Sequence, residues 1–260
     1  MKFICQQNTL NELSTLAGKD RHSLLISGPE GCGKTYLACQ YAKLLNVEDF
    51  QTIQPTVQAI KDSVDICYSL DHPVVLCIEN LDTGVSAASY ALLKFLEEPM
   101  HNVYVVVTCR NINNVPDTIV SRSVCVLSAP PIDLDLIEYA KEKNASKYED
   151  LKSLNIWKCV RTFGDVDIVL NLTPAQIEYF NSLSTVLTFR DTVSNLMWKL
   201  GHYPDNSETP IKLVIRYLIE ASDDLHVRQA GITCITELSS SRLAAHAVLA
   251  KFLFECKYCE

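Results

Sequence analysis

The sequence predicts an α/β fold with a five-stranded parallel sheet, followed by an all-helical second half. Three observations carry this reading. Short apolar runs alternate with amphipathic stretches as far as about residue 129, whereas no convincing strand follows Ala129-Pro130-Pro131. Three of the eight glycines in the 260 residues, Gly28, Gly31 and Gly33, also crowd into six positions directly after one apolar run.

The apolar runs are His22–Ser27, Phe50–Ile53, Val74–Ile78, Val103–Thr108 and Val124–Leu127. Continuous rather than alternating apolar character suits strands covered on both faces. Helical patterns lie between them at about 33–46, 57–69 and 86–98. Helices between successive strands supply the crossovers that a parallel sheet requires. Beyond residue 131, the segments Ile132–Lys143, Tyr148–Leu154 and Ile156–Leu172 read as three short helices. Thr173-Pro174-Ala175-Gln176 has capping-box spacing with proline at the first helical position. Behind it, Ile177, Phe180, Leu183, Val186, Val193, Leu196, Met197 and Leu200 keep helical spacing. Further helices start near Thr209-Pro210 and Ser222-Asp223, with a break at serines 239–241. The expected organisation is an α/β domain over 1–130, a small helical domain over 131–172 and a helical domain over 173–260.

Composition narrows the function classes. Hydrophobic residues make up 48% and charged residues 21%, which describes a folded chain rather than a disordered one. The longest apolar runs, Val74–Ile78 and Val103–Val107, fall far short of the ~20 residues that span a membrane. The opening MKFICQQNTL lacks the apolar core of a secretory signal. The expectation is a cytoplasmic protein with no membrane partner. The 11 cysteines are scattered from Cys5 to Cys259, and Cys77, Cys109 and Cys125 sit within apolar runs. That pattern suits small buried hydrophobes in a reducing compartment better than a disulfide framework. Cys256 and Cys259 form a C-x-x-C with no second pair or nearby histidine to complete a zinc site. The net charge is -8; residues 1–130 hold 9 basic and 13 acidic groups, and residues 131–260 hold 14 and 18. Neither half has a basic footprint, so any DNA contact is local or shared with other subunits.

Gly28-Pro-Glu-Gly-Cys32-Gly33-Lys34-Thr35 matches G-x-x-x-x-G-K-[ST], between a strand ending at Ser27 and a helix starting near Gly33. Glycines let backbone N–H groups curl around phosphate oxygens, and the helix N-terminus adds its dipole. Lys34 is expected to reach the β- and γ-phosphates and Thr35 to ligate Mg²⁺. The expected cofactors are ATP and Mg²⁺, held by Gly28, Gly31, Cys32, Gly33, Lys34, Thr35 and Glu79. Hydrolysis also needs a carboxylate at the end of a second buried strand. Val74–Ile78 ends in Glu79-Asn80. Glu79 can accept from a metal-bound water, and Asn80 cannot act as a base. The pair reads equally well as the entry to a solvated turn.

ALLKFLEEP at 91–99 and PDTIVSRS at 116–123 join the P-loop in an order and spacing that resemble the clamp-loader subunits of DNA polymerases, members of the AAA+ ATPases. The resemblance is specific over about residues 22–131 and weak to residue 172; beyond that it rests on helical character alone. It implies an AAA+ P-loop domain, a small helical lid and an all-α collar-like domain. Arg122 stands where that family places the arginine finger that reaches a neighbouring subunit's γ-phosphate; the bland alternative is a surface arginine. Ser123 replaces the family's usual cysteine. Helices 57–69 and 86–98 resemble elements whose N-termini face DNA inside the ring. The implied partners are other AAA+ clamp-loader subunits in a hetero-oligomeric ring, a sliding clamp and primer–template DNA.

Departures from the pattern point to one branch. Arg110 falls at the polar sensor position after the fourth strand, and Asp167 replaces the arginine of a G-x-x-R segment at Gly164. Acid in place of a cation near the γ-phosphate is wrong for hydrolysis. With Glu79 and Asn80 also altered while the P-loop and Arg122 remain, the chain resembles the delta-prime branch. In that branch the subunit's own nucleotide chemistry has decayed while the finger is kept, so the expectation here is weak or structural ATP binding, little hydrolysis and a finger lent to a neighbour. The alternatives are an active ATPase of gamma or replication-factor-C type, with Glu79 in place of aspartate, and a stand-alone P-loop kinase or switch. For the C-terminal helices, the alternatives are a plain core and a ring-holding collar.

Overall fold

A computed structural model of the chain describes residues 6–19, 21–84, 86–98, 100–174, 176–178, 208–222 and 225–240, with positions 247, 248, 251, 252 and 255. The apolar positions from Phe180 to Leu200 and the Cys256/Cys259 pair lie outside the described residues. The chain divides into two compact units, residues 1–135 and 136–260.

In the first unit α1 (Gln7–Ala17) leads into β1 (Ser23–Ser27), α2 (Lys34–Leu44), β2 (Asp49–Ile53), α3 (Val57–Cys67) and β3 (Val74–Ile78). Then come α4 (Ser86–Glu97), β4 (Val103–Cys109), the short α5 (Asp117–Val120) and β5 (Val124–Leu127). All pairings are parallel, in the order β2-β3-β4-β1-β5. Side chains alternate across the sheet, so the central strands β1, β3 and β4 feed two cores, whereas β5 reaches only the second. Leu25, Leu76, Ile78, Val105 and Val107 form one with α3 and α4 residues such as Ile60 and Leu92. Leu24, Ile26, Val75, Cys77 and Val106 form the other with Leu13 of α1 and Leu37 and Tyr41 of α2. Coverage on both faces explains the unbroken apolar runs.

Helix α1 is an addition to the sequence reading. Its Leu10, Leu13 and Leu16 supply the apolar stripe against the second core. Cysteine burial also differs at one position. Cys32, Cys67, Cys77 and Cys109 are buried, and burial pushes the Cys77 thiol up to about 12. Cys125, in contrast, is exposed because β5 is an edge strand.

The second unit is helical where it is described. Helix α6 (Asp133–Leu151) kinks at Asn144, whose side chain accepts from the Lys147 N–H at 3.0 Å and so caps its second half. The reading of two helices here is borne out by that kink. The single helix expected over 156–172 is instead a 3-10 turn (Asn155–Cys159) followed by α7 (Phe163–Asn171). The reason is a capping box: Thr162 Oγ1 accepts from Asp165 N–H at 3.1 Å, and Asp165 Oδ2 accepts from Thr162 N–H at 3.0 Å. A second box stands at Thr173 as expected, its N–H donating to Gln176 Oε1 at 2.8 Å. Helix α8 (Glu208–Ala221) packs on α7 and on the 3-10 turn, and α9 (Leu225–Ser240) packs on α8. Buried Asp165 anchors α8 through Arg216 Nη1 at 2.7 Å. No described helix is long and apolar enough to cross a membrane.

Candidate functional site

A parallel sheet carries all its strand C-termini to one edge, and there the phosphate loop forms. Gly28 N–H donates to the Cys109 carbonyl at 3.2 Å, tying the loop to the end of β4. A Cβ on Gly28 would sit 2.5 Å from the Ser128 carbonyl oxygen and 3.1 Å from Cys32 Sγ, so only glycine lets the loop pass under the exit of β5. Gly31 and Gly33 adopt φ of 69° and 86°, the left-handed region, and Gly33 caps α2. The Cys32 carbonyl accepts from Gln6 Nε2 at 2.5 Å and Ser128 Oγ at 3.3 Å, and its thiol donates to the Pro29 carbonyl at 2.9 Å. The loop is thus pinned from α1 on one side and from β5 on the other.

Gly28→Ala is therefore expected to push the loop off β5. The expected cost is about 2 kcal/mol of overpacking, read as a fall of roughly 5 °C in thermal midpoint. Nucleotide affinity measured by fluorescence titration should weaken with it. Unchanged melting and binding would show that the loop accommodates the methyl group.

Lys34 is buried, and its Nζ donates to the Gly28 and Pro29 carbonyls at 2.8 and 2.7 Å. Burial lowers its pKa from the ordinary lysine value, and nearby Arg110 lowers it further. Thr35 Oγ1 donates to Glu79 Oε1 at 2.7 Å, uniting two predicted metal-site residues 44 positions apart. Hard oxygen donors beside a cation-bearing glycine loop fit a magnesium-bound nucleotide. Glu79 faces Thr35, while Asn80 turns the chain at φ 47°, its N–H donating to Thr108 Oγ1 at 2.9 Å.

Residues that sequence reasoning missed fix the rest of this edge. Asp82 Oδ2 accepts from the N–H groups of Arg110 and Asn111, both at 3.0 Å, and so sets the course of the chain leaving β4. Arg110 Nη2 lies 3.6 Å from Oε1 of Glu30, within the phosphate loop. The Asn80-Leu-Asp82 turn after an apolar strand was the available signal for Asp82. Nothing local pairs Glu30 with Arg110.

Arg122 lies at the opposite edge, just before β5. The four residues of β5 separate the Arg122 end from Ser128 beside the loop, roughly 13 Å of strand. The guanidinium donates to Glu97 Oε1 and to the Thr118 carbonyl, both at 2.9 Å. An open cavity of about 260 Å³ adjoins it, lined also by Arg21, His22, Ser23 and Phe95. In the second unit, Tyr139 Oη donates to both carboxylate oxygens of Asp167 at 3.0 Å, with Lys143 Nζ 4.0 Å away. Burial, with Asp167 beside it, raises the Tyr139 pKa well above the usual phenol value. Asp167 thus serves as a hydrogen-bond anchor for α6.

Residues 71–131, from before β3 to past β5, match the family model described as DNA polymerase III, delta subunit. They include Glu79, Arg110 and Arg122 but not the phosphate loop. Among solved structures, the chain resembles a DNA polymerase III gamma subunit-related protein of Thermotoga maritima. The TM-score is 0.55 at 15% identity, over 96% of this chain and 98% of that one. This is an AAA+ fold. The Thermotoga maritima RuvB Holliday junction branch migration motor shares it, with a TM-score of 0.51 at 16% identity over 92% of this chain and 86% of that one. No curated protein matches the chain in sequence. The family match covers 61 of the 260 residues, and the likeness to the two solved structures is one of fold.

Proposed function

We propose that the chain is a cytoplasmic clamp-loader subunit of delta-prime type, which holds ATP with Mg²⁺, hydrolyses little itself and lends Arg122 to a neighbour. The observation that carries this reading is the separation of the two halves of the chemistry. The phosphate loop and Arg122 occupy opposite edges of one sheet. Such a chain completes a site only by stacking its Arg122 edge against another subunit's loop, which is the logic of a ring. The partners in this reading are other AAA+ clamp-loader subunits, a sliding clamp and primer–template DNA gripped jointly.

In the chain's own site, the backbone N–H groups of residues 30–33 and Lys34 hold the phosphates. Thr35 and Glu79 would hold the magnesium side, where the ion would supply positive charge against the phosphates. The neighbour's γ-phosphate receives Arg122, whose planar fork suits the charge that develops on transfer.

Co-expression with candidate gamma- and delta-like subunits should yield a ring containing this chain, counted by negative-stain microscopy. The purified chain alone should bind ATP without appreciable turnover. Robust Mg²⁺-dependent turnover by the isolated chain, lost in Lys34→Ala, would overturn the delta-prime assignment. It would favour the second reading, a gamma-like ATPase. The Thr35–Glu79 hydrogen bond supports that second reading, because it puts a carboxylate at the metal side of the loop. Turnover sensitive to Glu79→Gln would mark it.

A further inference from the structure

We infer that Glu30 and Arg110 form a charge clasp across the phosphate loop, with Glu30 as a built-in competitor for the cation that receives the terminal phosphate. The inference rests on the nucleotide-binding reading above. Strand β4 lies between β1, which ends in the phosphate loop, and β3, which ends beside Glu79. Its exit residue Arg110 therefore leaves the sheet between the strand that feeds the phosphate loop and the strand that ends at Glu79. The position is held firmly, because Asp82 binds the backbone N–H groups of both Arg110 and Asn111. From there the guanidinium lies 3.6 Å from Glu30 Oε1, across the mouth of the loop. Arg110 is also close enough to add to the lowering of the Lys34 pKa.

Two cations thus converge on a loop shaped for phosphate, and one is matched by a carboxylate belonging to the loop itself. Both side chains of the pair are partly open to solvent, at 23% and 33% exposure, so the pair is weak enough to exchange. A triphosphate offers Arg110 a more highly charged acceptor with bidentate geometry. Binding then swaps carboxylate for phosphate, and Glu30 turns outward. Arg110, read from sequence as a degenerate sensor, becomes a phosphate-holding residue that favours triphosphate over diphosphate.

The full chain is titrated with fluorescent ATP and ADP analogues. Glu30→Gln should tighten ATP binding by about threefold, the scale of a partly exposed ion pair. Arg110→Ala should weaken ATP binding by about tenfold, the scale of a charge-assisted hydrogen bond, and ADP binding by less. Glu30→Gln placed on Arg110→Ala should tighten binding less than it does alone. Circular dichroism and melting confirm that each variant folds. If Lys34→Ala abolishes binding while Arg110→Ala and Glu30→Gln leave it unchanged, the clasp is overturned and the phosphate-loop reading stands. If the folded parent binds neither nucleotide, the phosphate-loop reading falls and takes the clasp with it. Equal loss of ATP and ADP affinity in Arg110→Ala would overturn the terminal-phosphate assignment.

Discussion

Arg122→Ala is expected to lower the ATPase rate of an assembled ring by about a hundredfold or more at the site it serves, the scale at which arginine fingers act. The chain's own nucleotide affinity should not change. The two expectations differ because of where the residue lies. Arg122 precedes β5, while the phosphate loop sits past the far end of that strand, so the substitution cannot reach the chain's own site. Glu97 Oε1 and the Thr118 carbonyl both hold the guanidinium at 2.9 Å, which orients it before any partner arrives. Arg122→Lys should rescue only part of the rate, since an ammonium keeps the charge but loses the planar fork. Steady-state turnover of the ring and equilibrium titration of the free chain separate the two readouts. Full ring activity with alanine at 122 would remove the finger from the proposal.

The second large effect is on stability. Asp165→Ala should destabilise the helical second unit by about 3 kcal/mol, the low end for breaking one side of a buried ion pair. Asp165 is 1% exposed, and its Oδ2 accepts from three donors: Arg216 Nη1 at 2.7 Å and the N–H groups of Arg161 and Thr162, each at 3.0 Å. Removing it leaves an arginine and two backbone donors without their acceptor and unties α8 from α7. Arg216→Ala should cost less, because Asp165 keeps both backbone donors and Arg216 itself is 22% exposed. Urea unfolding reads both values. An Asp165→Ala midpoint within experimental error of the parent would show that the anchor contributes nothing.

The regions legible in the sequence share a physical cause, namely that their signals are local. Apolar runs of four to six residues mark the strands, the central ones buried on both faces, and all five are present within a residue or two of the expected ends. The glycine cluster marks a loop whose φ angles and close approach to Ser128 exclude side chains. Where the reading fell short, the deciding contacts lay elsewhere in the chain or competed within it. Helix α1 has the right leucine spacing, but what holds it is a core completed by α2 and the sheet. The expected helix over 156–172 breaks because the Thr162–Asp165 box outbids an unbroken helical pattern. Cys125 looks buried by its neighbours in sequence, yet it lies exposed on an edge strand.

By itself, then, the sequence determined a parallel α/β unit with a phosphate loop on its first strand, because strand, glycine turn and helix start are written in consecutive residues. Only the tertiary structure decided that Thr35 meets Glu79, that Arg110 meets Glu30, and that Arg122 stands at the opposite edge in the grip of Glu97. Strand order β2-β3-β4-β1-β5 sets the ends of β3, β4 and β1 side by side, which gathers Glu79, Arg110 and the phosphate loop at one end of the sheet. Strand order is fixed by packing both faces of the sheet at once, a condition that no local stretch of residues can express.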